Sequence, residues 1–223
     1  MIELNEIFSD ADKRLALFCE ATMESTDLAA LANNIIENSI NLISVTPEMV
    51  PLMWTYLEKN KVKILARYDF RNIHKDIDND ISTLSKDITK ICKSGANGVQ
   101  LFIKMRDFER ILDVLNTVRD DLFFGHDLCV MMDILDVDVN NWQMIFEKLC
   151  NVRANAFGVF LSEDAGIHSD FIGRIYSMLQ NWNGNFELQF LLANNTERID
   201  QSIRLIESLQ PALMSKTHFF LQN

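Results

Sequence analysis

The chain has 223 residues, 48% hydrophobic and 24% charged, with a formal charge of −11 and a pI near 4.8. Such a chain is long enough for one globular domain with a sizeable core, and its acid excess excludes the basic face that nucleic acid or an anionic membrane would need. No run approaches the roughly 18 uninterrupted apolar residues of a membrane span, and Met1 to Glu6 lacks the basic-then-apolar order of a signal peptide, so the expected location is cytoplasmic.

Strand-like and helix-like stretches alternate along the chain. Residues 1–12 read as an amino-terminal extension. Leu15 to Ala21 is the first predicted strand, and Thr26 to Asn38 follows with helical apolar spacing. Asn41 to Thr46 predicts the second strand; Pro47 suits a helical first turn, with Glu48 to Asn60 as the helix beyond it. The third unit is Val62 to Asp69 with a helix over Ile81 to Lys93, stopped by Ser94-Gly95. The fourth is Val99 to Lys104 with Asp107 to Arg119. Leu128 to Leu135 precedes Trp142 to Val152, Phe157 to Ser162 precedes Asp170 to Trp182, and Phe186 to Ala193 precedes Glu197 to Leu209. Leu213 to Leu221 closes the set.

Dividing the chain by eight gives about 28 residues per unit, enough for a strand, a crossover helix and two short loops. The expected fold is α/β, a (β/α)8 barrel forming a single domain over residues 1–223. A doubly wound open sheet is the other solution, but the first strand lacks a Gly-rich phosphate turn. Outer faces of parallel strands receive the helices and must be apolar, so alternation assigns the inner face. Val62, Ile64 and Ala66 go outward with Val99, Leu101 and Ile103. Lys63, Leu65, Arg67 and Asp69 go inward with Gln100, Phe102 and Lys104. The same rule turns Phe18, Glu20, Ser44, Thr46, Cys129, Met131, Asp133, Ser162, Glu187 and Gln189 into the lumen. Such a lumen is unusually charged, and two explanations stand. One is a mutually satisfied ion network in which Glu20, Asp133 and Glu187 offset Lys63 and Arg67. The other is a pocket at the carboxyl-end mouth, where Glu20, Thr46, Asp69, Lys104, Asp133 and Ser162 would converge.

Other residues carry weaker signals. Cys19, Cys92, Cys129 and Cys150 are widely separated and read as buried thiols rather than disulfides or zinc ligands. His74, His126, His168 and His218 lack metal-site spacing, so no metal is expected. Asp76-Ile77-Asp78-Asn79-Asp80 lacks the glycine and terminal glutamate of a calcium loop and reads as the polar approach to the third helix. Met49, Met53, Trp54 and Leu57 form a helical stripe expected to pack on the barrel, and Trp142, Phe146 and Cys150 read alike.

Several strand ends resemble one family. Leu17-Phe18-Cys19-Glu20-Ala21-Thr22 looks like a first strand ending in a hydrophobic-Asp-Thr motif, with glutamate for aspartate. Ile43-Ser44-Val45-Thr46-Pro47 is similar to a threonine-threonine-asparagine-proline turn. Lys63-Ile64-Leu65-Ala66-Arg67-Tyr68-Asp69 is close to Glu-Val-Asp-Ala-Arg-Leu-Ser, and Leu101-Phe102-Ile103-Lys104-Met105 to Val-Val-Val-Lys-Ile. On these stretches the chain resembles, over nearly its full length, the transaldolase and fructose-6-phosphate aldolase family of class I aldolases, with a weaker carboxyl-terminal likeness that includes Ala156 to Asp164 and Leu191 to Asn195.

The resemblance implies a transaldolase-like transferase that moves a dihydroxyacetone unit between sugar phosphates, with no metal or dissociable cofactor and with assembly as a homo-oligomer. Lys104 would form the Schiff base, Glu20 would take the hydroxyl proton and Thr46 would orient a substrate hydroxyl. Lys63, Arg67, Asp133, Ser162, Asn194 and Asn195 would bind substrate. The amine of Lys104 must be neutral to attack, which the cations Lys63 and Arg67 on the adjacent strand would favour. The chain departs from the family pattern in having no Lys or Arg between Ala154 and Gly173 and in placing Asn194-Asn195-Thr196 at the seventh mouth. The alternative is therefore a barrel that kept the architecture and lost the sugar-phosphate site, serving as a binding or structural protein. A deoxyribose-phosphate-type aldolase would need a lysine on the sixth strand, where Phe157 to Ser162 has none.

Overall fold

The structure, a computed structural model, describes residues 15–19, 25–71, 77–122, 124–161 and 170–222. Its strands are β1 (Leu15–Phe18), β2 (Leu42–Val45), β3 (Lys63–Asp69), β4 (Gly98–Ile103), β5 (Asp127–Asp133), β6 (Ala156–Phe160), β7 (Glu187–Leu191) and β8 (Thr217–Gln222). All pair in parallel in chain order, and β8 returns to β1 with Leu15 beside Phe219, which closes the sheet and rules out the open alternative. Between the strands run α1 (Ser25–Glu37), α2 (Val50–Leu57), α3 (Ile77–Lys93), α4 (Phe108–Asp121), α5 (Trp142–Asn151), α6 (Phe171–Gln180) and α7 (Thr196–Leu209). The fold is the (β/α)8 barrel. The expected extension, residues 1–12, lies outside the described residues. Among those residues no helix is long and apolar enough to cross a membrane.

The expected element boundaries shift by one to three residues at most ends and furthest in two places. Helix α3 begins at Ile77, so most of the acidic run expected to lead into it forms its first turn. Leu213 belongs to a 3-10 segment, Pro211–Lys216, and β8 starts only at Thr217. Pro47 opens a short 3-10 turn and Pro51 sits in the first turn of α2, where a missing N–H costs nothing.

Two apolar layers build the molecule. The outer one joins strand residues such as Ile64, Ala66, Val99, Leu101 and Ile103 to the helices; the inner one, led by Ala16, Leu42, Leu65, Phe102, Met131 and Phe220, fills the lumen. The parity expected from alternation therefore holds on β3, β4 and β5. Helical phase was harder to assign. Trp54 is partly exposed, its ring lying against Gly95, and Cys150 is exposed, whereas Met49, Met53, Leu57, Trp142 and Phe146 are buried as expected. Gly95 is required twice over, by its positive φ of 113° and because a Cβ there would lie 2.4 Å from the Trp54 ring.

Two asparagines hold the start of the sheet in equivalent ways. Asn97, just before β4, accepts the Ile64 N–H of β3 through Oδ1 at 2.8 Å. Asn155, just before β6, accepts the Leu128 N–H of β5 at 2.9 Å and also an Arg119 guanidinium N–H at 2.8 Å. Each side chain satisfies a strand N–H that the parallel ladder leaves open at that level.

Candidate functional site

The lumen is divided at mid-height by a belt of amide hydrogen bonds. Ser44 of β2 donates its hydroxyl to Gln100 Oε1 on β4 at 2.7 Å, and Gln100 Nε2 donates to Gln189 Oε1 on β7 at 2.8 Å. Gln189 Nε2 in turn lies 3.7 Å from the Cys129 Sγ of β5. All four side chains are buried. The charged lumen expected from sequence is thus uncharged at its centre, and its ions are driven to the two ends, where water and partners are available. Gln100→Met keeps the volume but strips both neighbours of a partner; it is expected to lower the unfolding free energy by about 2 kcal/mol, read as a shifted urea midpoint at constant slope.

Above the belt lies the carboxyl-terminal mouth. Phe102 packs edge-on to Phe18 at 5.9 Å between centroids and tilted against Phe160 at 5.2 Å, making an aromatic floor. The Arg67 guanidinium sits 3.9 Å from the Phe18 ring centroid and donates to the Cys19 carbonyl at 3.0 Å. Arg71 lies over Phe102 and Phe160 and grips Asp69 through Nε at 2.9 Å and Nη2 at 2.5 Å. Burial works against the Asp69 charge, but the Arg71 hydrogen bonds and charge outweigh it and hold the carboxyl below its usual range.

Lys104 follows β4 directly, with extended backbone (φ −96°, ψ 142°), and opens the 3-10 turn Met105–Asp107. It is half-buried, and alternation from the lumen residue Phe102 points it inward. The register of Ile103 beside Met132 carries it level with Asp133 of β5, and that of Asp69 beside Phe102 carries it level with Arg71. Asp133 is buried and accepts the Leu135 N–H at 3.0 Å. Thr46, at the end of β2, precedes Pro47 and is carried level with Arg67 by the pairing of Val45 with Ala66. Four of the six residues expected at this mouth, Thr46, Asp69, Lys104 and Asp133, are therefore gathered there. Glu20 and Ser162 lie outside the described residues.

Lys63 is not gathered with them. It is the first residue of β3 and lies at the amino-terminal end of the barrel, two positions before Leu65, which is level with the first residue of β4. Along the strand direction that puts it roughly 26 Å from Lys104, so it is no neighbouring cation for that amine. Its hydrogen-bonded partner is Asp127 at 3.0 Å, an acid the expected network did not include, while Glu187 acts on it as a further counter-charge, as that network has it. Burial opposes the Lys63 charge, yet the hydrogen bond and charge of Asp127 prevail and raise it above the ordinary lysine range. Asn194 and Asn195 also have structural partners. Asn194 pairs both amide atoms with the Gln222 backbone at 2.8 Å, and Asn195 caps α7 by accepting the Arg198 N–H at 3.0 Å. Asn194 thus has both ends of its amide engaged, whereas the cap at Asn195 uses its Oδ1 alone.

At the amino-terminal end the structure opens a cavity of about 270 Å³ that strand-end reasoning missed. Besides Lys63 and Asp127 it is lined by Cys129, Glu187, Gln189 and His218. The signal was the inward charge at the first positions of β5 and β7. Burial pushes the Cys129 thiol well above its ordinary range and, with Lys63 nearby, lowers His218 from 6.5 to about 4. Burial also raises Glu187 against the pull of Lys63. A histidine depressed on folding takes up protons in the unfolded chain first, so its contribution to stability is intact above pH 6.5 and is lost as pH falls toward about 4. The full loss is about 3 kcal/mol, partly offset by Glu187, whose raised affinity for a proton acts with the opposite sign. His218→Gln is expected to flatten the fall in urea midpoint between those pH values.

No protein-family model matches the chain, and no curated protein matches it by sequence. Solved structures do share its fold. An aldolase designated QR15 is 13% identical, with a TM-score of 0.69 over 100% of this chain and 92% of that one. A deoxyribose phosphate aldolase from Aeropyrum pernix, described as a tetramer, is 9% identical, with a TM-score of 0.70 over 95% and 86%. A phosphonopyruvate hydrolase seen with oxalate and Mg²⁺ is 10% identical, with a TM-score of 0.62 over 99% and 80%. At such identities the likeness establishes a barrel architecture shared with aldolases and with enzymes of other chemistry, and nothing finer.

Proposed function

We propose that the protein is a class I aldolase-type enzyme in which Lys104 forms a Schiff base with a hydroxylated carbonyl substrate, in the transaldolase manner of moving a dihydroxyacetone unit between sugar phosphates. The observation that carries this reading is the position of Lys104 in the chain: first past β4, in inward phase with Phe102 by strand alternation, and level with the buried Asp133. In the proposed sequence the neutral amine adds to the ketone, and the carbinolamine loses water to give the Schiff base. Removal of a substrate hydroxyl proton, by Glu20, breaks the carbon–carbon bond and leaves an enamine on Lys104. The enamine then attacks an acceptor aldehyde, and water releases the product. Asp133 has the position to shuttle the proton of carbinolamine dehydration. Thr46 and Arg67 would orient hydroxyl and anionic groups of the substrate. An acidic protein using sugar phosphates would work in the cytoplasm, as a homo-oligomer in the manner of the family it resembles. Strand β6 carries no lysine, which favours the fourth-strand nucleophile over the deoxyribose-phosphate type.

The test is borohydride reduction of the full chain with fructose 6-phosphate, and separately with dihydroxyacetone, followed by intact mass and peptide mapping. A single adduct on the Lys104 peptide, absent from Lys104→Met of unchanged circular dichroism, is the expected result. A folded wild-type chain that yields no adduct with either compound overturns the proposal. It would favour instead the barrel that lost its chemistry, a reading helped by the commitment of Arg71 to Asp69 and of both asparagines to backbone.

A further inference from the structure

The amino-terminal cavity has a separation of charge that nothing at the opposite mouth requires. On one side, the turn into β3 brings Lys61 and Lys63 to the lining, and Asp127 of β5 neutralises only one of them. Among the described residues Lys61 has no carboxylate partner. On the far side, Glu187 opens β7, four strands from β3 around a closed barrel of eight, so it faces the lysines across the lumen. Its carboxylate lies 3.8 Å from His218 Nδ1 of β8, beyond hydrogen-bond reach, and that buried nitrogen has no hydrogen-bond partner among the described residues. With the ring proton on Nε2, the nitrogen and the carboxylate are two acceptors side by side on residues that line one cavity.

We propose that this cavity binds a small zwitterion carrying one ammonium and one carboxylate, a free α- or ω-amino acid, with the ammonium between Glu187 and His218 Nδ1 and the carboxylate toward Lys61 and Lys63. An ammonium supplies N–H donors to both acceptors, and its charge adds to that of Lys63 and Lys216 in offsetting the burial of the Glu187 carboxylate. The other end meets the surplus lysine. A simple phosphate would face Asp127 and Glu187 as well as the lysines. A divalent metal finds no set of three His, Cys, Asp or Glu ligands among the described residues. The volume suits a molecule at the small end of the ligand range. The Gln100–Gln189 belt is the floor of the lumen on this side, so the site does not depend on the chemistry proposed for Lys104.

Titration of the full chain with glycine, β-alanine and γ-aminobutyrate, followed by the carbon-bound ring protons of His218 in ¹H–¹³C NMR, tests the proposal; His218→Asn assigns the signal. At least one of the three is expected to give a saturable shift, with affinity at least tenfold above that of ethylamine or acetate alone. Glu187→Gln and Lys63→Met should each weaken it tenfold or more. No saturable shift with any of the three overturns the proposal, as does ethylamine or acetate binding as tightly as the best amino acid, or an unchanged affinity in Glu187→Gln. If Lys63→Met does not fold, the ethylamine comparison on the wild-type chain still decides whether the carboxylate end is read.

Discussion

Phe146→Ala is expected to lower the unfolding free energy by about 3–5 kcal/mol. The ring is fully buried on α5 and meets four others: Trp142 at 5.9 Å, Phe157 at 5.6 Å, Trp182 at 5.0 Å and Phe186 at 5.8 Å between centroids. It therefore joins α5 to β6 and to the segment leading into β7. Truncation removes the transfer energy of the ring and leaves a void walled by stiff aromatic groups, which collapse poorly into empty space. Edge-on and tilted ring pairs add about 0.5–1.5 kcal/mol each beyond burial. Phe146→Leu, which keeps most of the volume, should cost about 1.5 kcal/mol. Urea unfolding followed by tryptophan fluorescence reports both, since Trp142 and Trp182 border the site. A loss under 1 kcal/mol for the alanine variant would show that the cluster relaxes around the void.

Gly98→Ala is expected to cost about 3 kcal/mol, at the upper end for overpacking. A Cβ at this position would lie 2.2 Å from the Asp127 carbonyl oxygen and 2.7 Å from its nitrogen, and neither is the yielding tip of a side chain. Gly98 is level with Asp127 in the β4–β5 register, and the Asp127 N–H donates to the Asn97 carbonyl at 2.9 Å, so the strands separate only by breaking that start of the ladder. Because Asp127 also holds Lys63, the variant should disturb the amino-terminal cavity as well as stability. Gly125→Ala is the contrasting case. It has positive φ of 87° but open space around its Cβ, and should cost about 1–2 kcal/mol for backbone strain alone. Equal losses in the two variants would refute the steric argument.

The fold was legible because parallel strands sandwiched between lumen and helices have no choice about their outer faces. Val99-Gln100-Leu101-Phe102-Ile103 announces both its strand and its phase, and the outward residues of β3 and β4 sit in the outer layer as alternation requires. Height along the barrel was the harder quantity. Lys63 and Lys104 share an inward phase on adjacent strands, yet one begins its strand and the other follows the end of its own. That difference is visible in sequence position once the strands are aligned by their starts. The belt of Ser44, Gln100 and Gln189 needs the register across β2, β4 and β7 together, which no local pattern contains. Helix phase failed at Trp54 and Cys150 for a related reason. The stripe of a short helix is narrow, and a residue at its edge is buried or exposed according to what stands opposite, here Gly95 for Trp54. The structural partners of Asn194 and Asn195 were not legible either, because one bonds the backbone of β8, remote in sequence, and the other caps the helix that follows it.

The crossing of Ser44, Gln100 and Gln189 bars the cylinder at mid-height, so it is no tunnel from one opening to the other. A change of side-chain shape at one end is thereby kept from repacking the other, while charges at the two ends still act on each other through the interior between them.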